Sequence, residues 1–217
     1  MTRLPHKDIF IYYQRLRRTF RVWVSGTPLR DGDIRASLHG WLKRRHAACP
    51  DAWLLSELKI PRPSARIDLA VVNGELAGFE IKSDVDSLTR LRRQAESYNG
   101  VFDRVYLVTT DRHIKEATTI IPNWWGVALM LHKGHEIEAD LIRESGHNCH
   151  ARADSILYML HKSELDNIAI RLGLRESFSV RLRHADLVEK LVMCVDVDTL
   201  RSEAKTALKQ RRTAMHL

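Results

Sequence analysis

The sequence predicts an α/β protein: a mixed central sheet flanked by helices, followed by a small all-helical C-terminal region. Three observations predict it. Short apolar runs, several with period-two character, fill residues 53–131 and are interrupted by two helical stretches. Asn73-Gly74 between two such runs marks a tight antiparallel turn. From Ala151 onward the strand pattern stops and three-to-four spacing takes over.

The elements follow in order. Asp8–Val24 reads as a helix, with Ile9, Leu16, Phe20 and Val24 at helical spacing and arginines between them. Ser25-Gly26-Thr27-Pro28 breaks it, and a second helix is expected from about Asp31 to Ala48, stopped by Pro50. Trp53–Leu58, Arg66–Val72 and Leu76–Lys82 read as three strands. Asp86–Tyr98 is helical, with Leu88, Leu91, Ala95 and Tyr98 on one stripe, and Asn99-Gly100 ends it. Asp103–Thr109 is apolar enough for an interior strand. A helix capped by Asp111 runs to about Ile121, and Trp125–Leu131 is a fifth strand with a hairpin turn at Lys133-Gly134. Ser155–His161, Leu165–Leu172, Asp186–Met193 and Asp198–Arg211 complete the pattern as helices. The expected organisation is a basic helix over 1–30, an α/β core over 31–145 and a helical region over 146–217.

Composition narrows the class. The chain has 217 residues, 44% apolar and 29% charged, which excludes a disordered or collagen-like chain. The apolar stretch Trp124–Leu131 is too short to cross a bilayer, and no cleavage site follows the N-terminal residues, so neither a membrane span nor a signal peptide is expected. Cys49, Cys149 and Cys194 are odd in number and far apart, which points to reduced thiols and a cytoplasmic location. The net charge of +8 is uneven: residues 1–50 carry eleven Lys/Arg against three acids, whereas residues 51–149 carry twelve against fifteen. A basic head on a basic chain suggests a polyanionic partner, with a merely solvated cationic face as the alternative.

The acids of the middle section carry the chemistry. Asp68 interrupts an apolar strand, and Glu80 and Lys82 flank Ile81 in the next one. Residues i and i+2 share a strand face, so Glu80 and Lys82 point the same way. The Asn73-Gly74 turn makes the strands antiparallel neighbours and brings Asp68 beside Glu80. Two carboxylates there repel unless a cation lies between them, and oxygen ligands of this kind, with the Ile81 carbonyl, suit Mg²⁺ or Mn²⁺. A lysine beside that cation can orient a water or steady charge on a phosphate.

Arg66-Ile67-Asp68 through Glu80-Ile81-Lys82 resembles the core motif of the PD-(D/E)XK nuclease superfamily, near the restriction-endonuclease-like and Holliday-junction-resolvase-like folds. The following helix, with Gln94 and Tyr98, is similar to the Q-x-x-x-Y motif of RecB-type nucleases. The resemblance covers about residues 31–131 and is greatest to a bacterial branch with an E-I-K-S core and a W-W-G strand, here Glu80–Ser83 and Trp124–Gly126. Ile67 stands where the family name has proline.

The resemblance implies a Mg²⁺-dependent deoxyribonuclease of bacterial or phage origin. Asp68 and Glu80 would be metal ligands, Lys82 catalytic, and Gln94 a contact to the scissile phosphate. A third acid is expected from Glu57 or from Asp33. Arg90, Arg93 and Tyr98 are candidate DNA contacts, although Tyr98 also reads as a core aromatic. Leu165–Leu174, Arg181, Arg183 and Asp186–Leu191 resemble a SAP-type helix-extended-helix module whose basic turn sits on DNA, with packing against the core as the alternative. A homodimer fits the same resemblance. The competing expectation is a non-catalytic DNA-binding or regulatory protein on this fold. His132, His135, His147, Cys149 and His150 lack a zinc-finger frame, and no phosphate-binding glycine loop or serine-hydrolase elbow is present.

Overall fold

The computed structural model describes residues 27–61, 64–178, 181–211 and 213–217. The helix expected over Asp8–Val24 lies outside the described residues, as do Ser179 and Val180 of the C-terminal turn. Helix α1, Asp31–Arg45, is followed by strands β1 (Trp53–Pro61), β2 (Ser64–Val72) and β3 (Leu76–Lys82). Next come α2 (Leu91–Asn99), β4 (Arg104–Thr109), α3 (Ile114–Ile120), β5 (Gly126–Lys133) and β6 (Glu136–Arg143). Helices α4 (Ala153–Leu157), α5 (Lys162–Arg171), α6 (His184–Cys194) and α7 (Val197–Lys209) precede β7 (Met215–His216).

The strands form one mixed seven-stranded sheet in the order β6-β5-β4-β3-β2-β1-β7. β3, β4 and β5 are parallel neighbours joined through α2 and α3, and every other pairing is antiparallel. Gly74, at φ 94°, supplies the turn between β2 and β3, and Gly134, at φ 67°, the turn between β5 and β6.

Three boundaries depart from expectation for legible reasons. Asp86 does not open α2. Its Oδ2 accepts the Ser83 N–H at 2.8 Å and the Ser83 hydroxyl at 2.5 Å, a local turn that holds the chain out of helix until Leu91. α3 begins at Ile114, preceded by His113 rather than by Asp111. The C-terminus is not purely helical, because Trp53 pairs with His216 and Leu54 with Met215. A two-residue strand is too short to leave a period in the sequence.

Each face of the sheet covers its own core. Ile34, Leu38 and Leu42 of α1 pack with Leu69, Val71, Phe79, Ile81 and Val108. On the other side, Leu91, Ala95 and Tyr98 of α2 join Ile67, Val72, Leu107 and Val127 together with apolar residues of α4 to α7. The C-terminal helices therefore share the core of the sheet. Leu165, Ile168, Leu187 and Leu191, the apolar positions of the expected DNA-binding module, are all spent in this core.

Gly126 is the most tightly enclosed of the described glycines. A Cβ there would lie 2.2 Å from Tyr106 Cδ1 and 2.9 Å from the Ser145 backbone nitrogen. Tyr106 cannot step aside, since it stacks on Phe79 at 4.9 Å and is hydrogen-bonded to Glu144. Gly126→Ala should therefore cost about 3 kcal/mol of stability by overpacking. A denaturant midpoint equal to wild type would show that the sheet can relax there.

Candidate active site

Alternate residues of β2 face different cores. Ala70 and Val72 join the core under α2, and Leu69 and Val71 the core under α1, as strand alternation requires. Ile67 breaks the rule by lying in the same core as Ala70. The partner strand is distorted at the same level, although its register is kept on both sides. Ser56 pairs with Leu69 and Leu58 with Ile67, while Glu57, opposite Asp68, has φ 54°. A non-glycine residue in the left-handed region costs on the order of 1–3 kcal/mol and is held there by its surroundings. The β2–β3 pairing ends just beside this distortion, at Leu69 opposite Phe79. Beyond that point the Asp68 carboxylate replaces the ladder: its Oδ2 accepts the Ile81 N–H at 2.7 Å.

A cleft of about 420 Å³ opens in this fork, lined by Asp31, Asp68, Glu80, Ile81, Lys82, Asp86 and Gln94 with Ser64, Ala65, Arg66, Arg90 and Arg93. Its floor is buried and its arginines are exposed. Glu80 is 1% exposed and Lys82 3%. Lys82 Nζ lies 2.6 Å from Glu80 Oε1 and 3.0 Å from Gln94 Oε1, and Gln94 Nε2 donates to Glu80 Oε1 at 2.5 Å. Tyr98 Oη is 2.6 Å from Glu80 Oε2 and 2.8 Å from the Arg66 carbonyl oxygen. Burial, reinforced by the Glu80 charge, pushes the Tyr98 hydroxyl well above its ordinary range, so it stays a donor.

The family described as Bacteriophage P4 protein cII matches residues 25–216. The chain belongs to the phage P4 protein cII family. Protein cII of Enterobacteria phage P4 is 30% identical over 185 residues, covering 84% of this chain and 68% of that protein. Among solved structures, a protein of unknown function from Silicibacter pomeroyi is 17% identical, covers 71% of this chain and 99% of its own, and has a TM-score of 0.40.

In this cII-family chain, Asp68, Glu80, Ile81, Lys82 and Gln94 come together, and Arg90 and Arg93 stand exposed beside them. The remaining candidates sit elsewhere. Tyr98 is fully buried, so it supports Glu80 and cannot touch DNA. Asp33 is a helix cap: its Oδ2 accepts the Arg30 N–H at 3.0 Å, ahead of α1. Glu57 does not line the cleft but holds Arg35 at 2.9 Å and Arg66 at 2.6 Å. Arg181 and Arg183 are exposed ahead of α6, away from the cleft lining, with Arg183 paired to Asp186.

Two residues escaped the sequence reading. Asp31 lines the cleft, and Arg35 bonds Asp31, Glu57 and Asp68 at once. The i,i+4 spacing of Asp31 and Arg35 was the one available signal, but it reads as an ordinary helix-surface pair. Their placement depends on Asp84, whose carboxylate accepts the Leu29 N–H at 2.7 Å and the Thr110 hydroxyl at 2.6 Å. That clamp ties the start of α1 to the ends of β3 and β4.

Asp68 is pushed up to about 7, first by burial and then by the neighbouring Glu80 charge, with the Ile81 N–H and Arg35 opposing. A carboxyl whose value is higher in the fold than in the unfolded chain binds its proton more tightly when folded. Its stabilising contribution is full below about pH 4 and is lost as the pH rises through about 7. The melting temperature of metal-free wild type should therefore fall relative to Asp68→Asn between pH 4.5 and 7.5. A difference that stays constant with pH would contradict this.

The same repulsion bears on a cation. Among the described residues no three His, Cys, Asp or Glu side chains converge as a ready-made metal cage. A hard divalent ion needs no such cage, since Mg²⁺ keeps several waters and rests on one or two carboxylates. Asp68, Glu80 and the Ile81 carbonyl fit that pattern.

Proposed function

We propose that this chain is a metal-dependent deoxyribonuclease that hydrolyses phosphodiester bonds in the cleft between β2 and β3. The observation that carries the reading is Lys82 Nζ, 2.6 Å from Glu80 Oε1 in a buried floor that also holds Asp68. Such a buried cation-and-carboxylate set, open to a cleft edged by exposed arginines, suits the cutting of a polyanion. Mg²⁺ or Mn²⁺ on Asp68, Glu80 and the Ile81 carbonyl would supply Lewis-acid polarisation of the phosphate and an acidified water.

The chain's own residues do the rest. Lys82 orients the attacking water and steadies charge developing on the phosphoryl oxygens. Gln94 bonds both Lys82 and Glu80, fixing the geometry of the pair. Tyr98 holds the far oxygen of Glu80. Arg66, Arg90 and Arg93 engage the flanking backbone phosphates without reading sequence.

One observation favours a second reading, a non-catalytic DNA-binding protein. Both oxygens of Glu80 already have protein donors, and Asp68 has Arg35 and the Ile81 N–H. Incubating the full chain with supercoiled, linear, single-stranded and branched DNA separates the two. Cleavage with Mg²⁺ or Mn²⁺ that EDTA stops supports the nuclease. Binding indifferent to metal, with every DNA form left intact, supports the second reading.

A further inference from the structure

Arg35 is the side-chain cation that meets Asp68. Its Nε is 3.1 Å from Asp31 Oδ1, and its Nη2 is 2.9 Å from Glu57 Oε1 and 3.3 Å from Asp68 Oδ1. Its Nη1 donates to the Asp68 backbone carbonyl at 3.0 Å. Three carboxylates thus share one guanidinium. The contact to Asp68 Oδ1 is longer than the Nε contact to Asp31 Oδ1 and those to Glu57 Oε1 and the Asp68 carbonyl; a second contact to Asp31, Nη2 to Oδ2, is 3.4 Å. Arg35 can give up Oδ1 and keep its place. A second cation at Asp68 Oδ1 would stand beside the guanidinium and be repelled by it, and Oδ2 already accepts the Ile81 N–H.

Glu57 supplies an independent sign. Its left-handed backbone is unfavourable for a residue with a Cβ. What it gains there is a carboxylate placed between Arg35 and Arg66. Asp31 sits one helical turn before Arg35 and secures the guanidinium from the α1 side.

We propose that Arg35 is the resting counter-ion of Asp68, which a divalent cation must displace, with Asp31 and Glu57 as the dock that retains it. Metal and guanidinium then compete for one carboxylate oxygen, so Arg35 weakens metal binding in the DNA-free protein. This inference rests on the metal site proposed above. It makes Arg35 a positioning residue and sets it apart from a simple brace. A brace that only held Asp68 in place would strengthen metal binding.

The test is a Mn²⁺ titration of the full chain, following free Mn²⁺ by electron paramagnetic resonance at low ionic strength. Wild type, Arg35→Gln, Arg35→Lys and Asp68→Asn are compared, with circular dichroism to confirm folding. Arg35→Gln should tighten Mn²⁺ binding by roughly ten-fold, since a neighbouring positive charge is lost. Arg35→Lys keeps the charge but cannot span the three carboxylates and the carbonyl together. It should tighten binding by a few-fold, and it carries the test if Arg35→Gln does not fold. Unchanged or weaker binding in the folded Arg35 variants overturns the displacement while leaving the metal site standing. A wild type with no Mn²⁺ site that Asp68→Asn removes overturns the metal site, and this inference with it.

Discussion

Lys82→Ala is expected to lower metal-dependent phosphodiester cleavage by about 10³-fold, the loss typical of removing one charge-stabilising group from a dry site. The effect is large because Lys82 is 3% exposed, so bulk water cannot take over the role of its ammonium. Gln94 and Tyr98 still donate to Glu80 after the truncation. The variant should therefore remain folded at assay temperature, though it melts lower than wild type. DNA affinity should change little, because the exposed Arg66, Arg90 and Arg93 are untouched. The measurement is initial cleavage rate alongside a DNA-binding isotherm. Wild-type rates in the variant would remove Lys82 from the chemistry.

The second large effect concerns stability. Arg201→Ala should cost about 3 kcal/mol, because it leaves the buried Asp103 carboxylate with only Lys205, 3.7 Å away, as a cation. Arg201 Nη2 lies 2.8 Å from Asp103 Oδ1 and donates to the Val101 carbonyl at 2.8 Å. The other Asp103 oxygen accepts the Leu76 N–H at 2.7 Å. Arg201, with Lys205 Nζ 3.7 Å from the other Asp103 oxygen, thus joins α7 to the starts of β3 and β4. For a chain of this size the melting temperature should fall by roughly 10 °C. Arg201→Met combined with Asp103→Asn should recover part of the loss, because no buried charge is then unpaired and Asn keeps an acceptor for Leu76. A melting point for Arg201→Ala within about 2 °C of wild type would show that water replaces the pair.

Both predictions concern charges that the fold has buried, and they differ in how readable those charges were. Asp68, Glu80 and Lys82 stand in two adjacent strands joined by Asn73-Gly74, so their proximity follows from local rules. Arg201 and Asp103 are separated by 98 positions. Nothing in the spacing of α7, whose Leu200, Ala204 and Leu208 form an ordinary buried stripe, announces that Arg201 faces inward too. Tyr98 is a similar case. Its place on the apolar stripe of α2 was legible, but whether its hydroxyl met DNA or Glu80 depended on where β3 lay.

The sequence by itself determined the alternation of strands and helices, the β2–β3 turn and the side-by-side placement of Glu80 and Lys82. Those features depend on periodicity and turn chemistry within a few residues, which act the same way in any context. Only the tertiary structure decided that Arg35, 33 positions from Asp68, occupies that carboxylate. It alone also decided that Asp31 rather than Asp33 lines the cleft, and that Glu57 takes a left-handed backbone to hold two arginines. The physical reason is that a charge finds its partner through space: burial raises the cost of leaving it alone, and the packing of α1 against the sheet determines which partner is within reach.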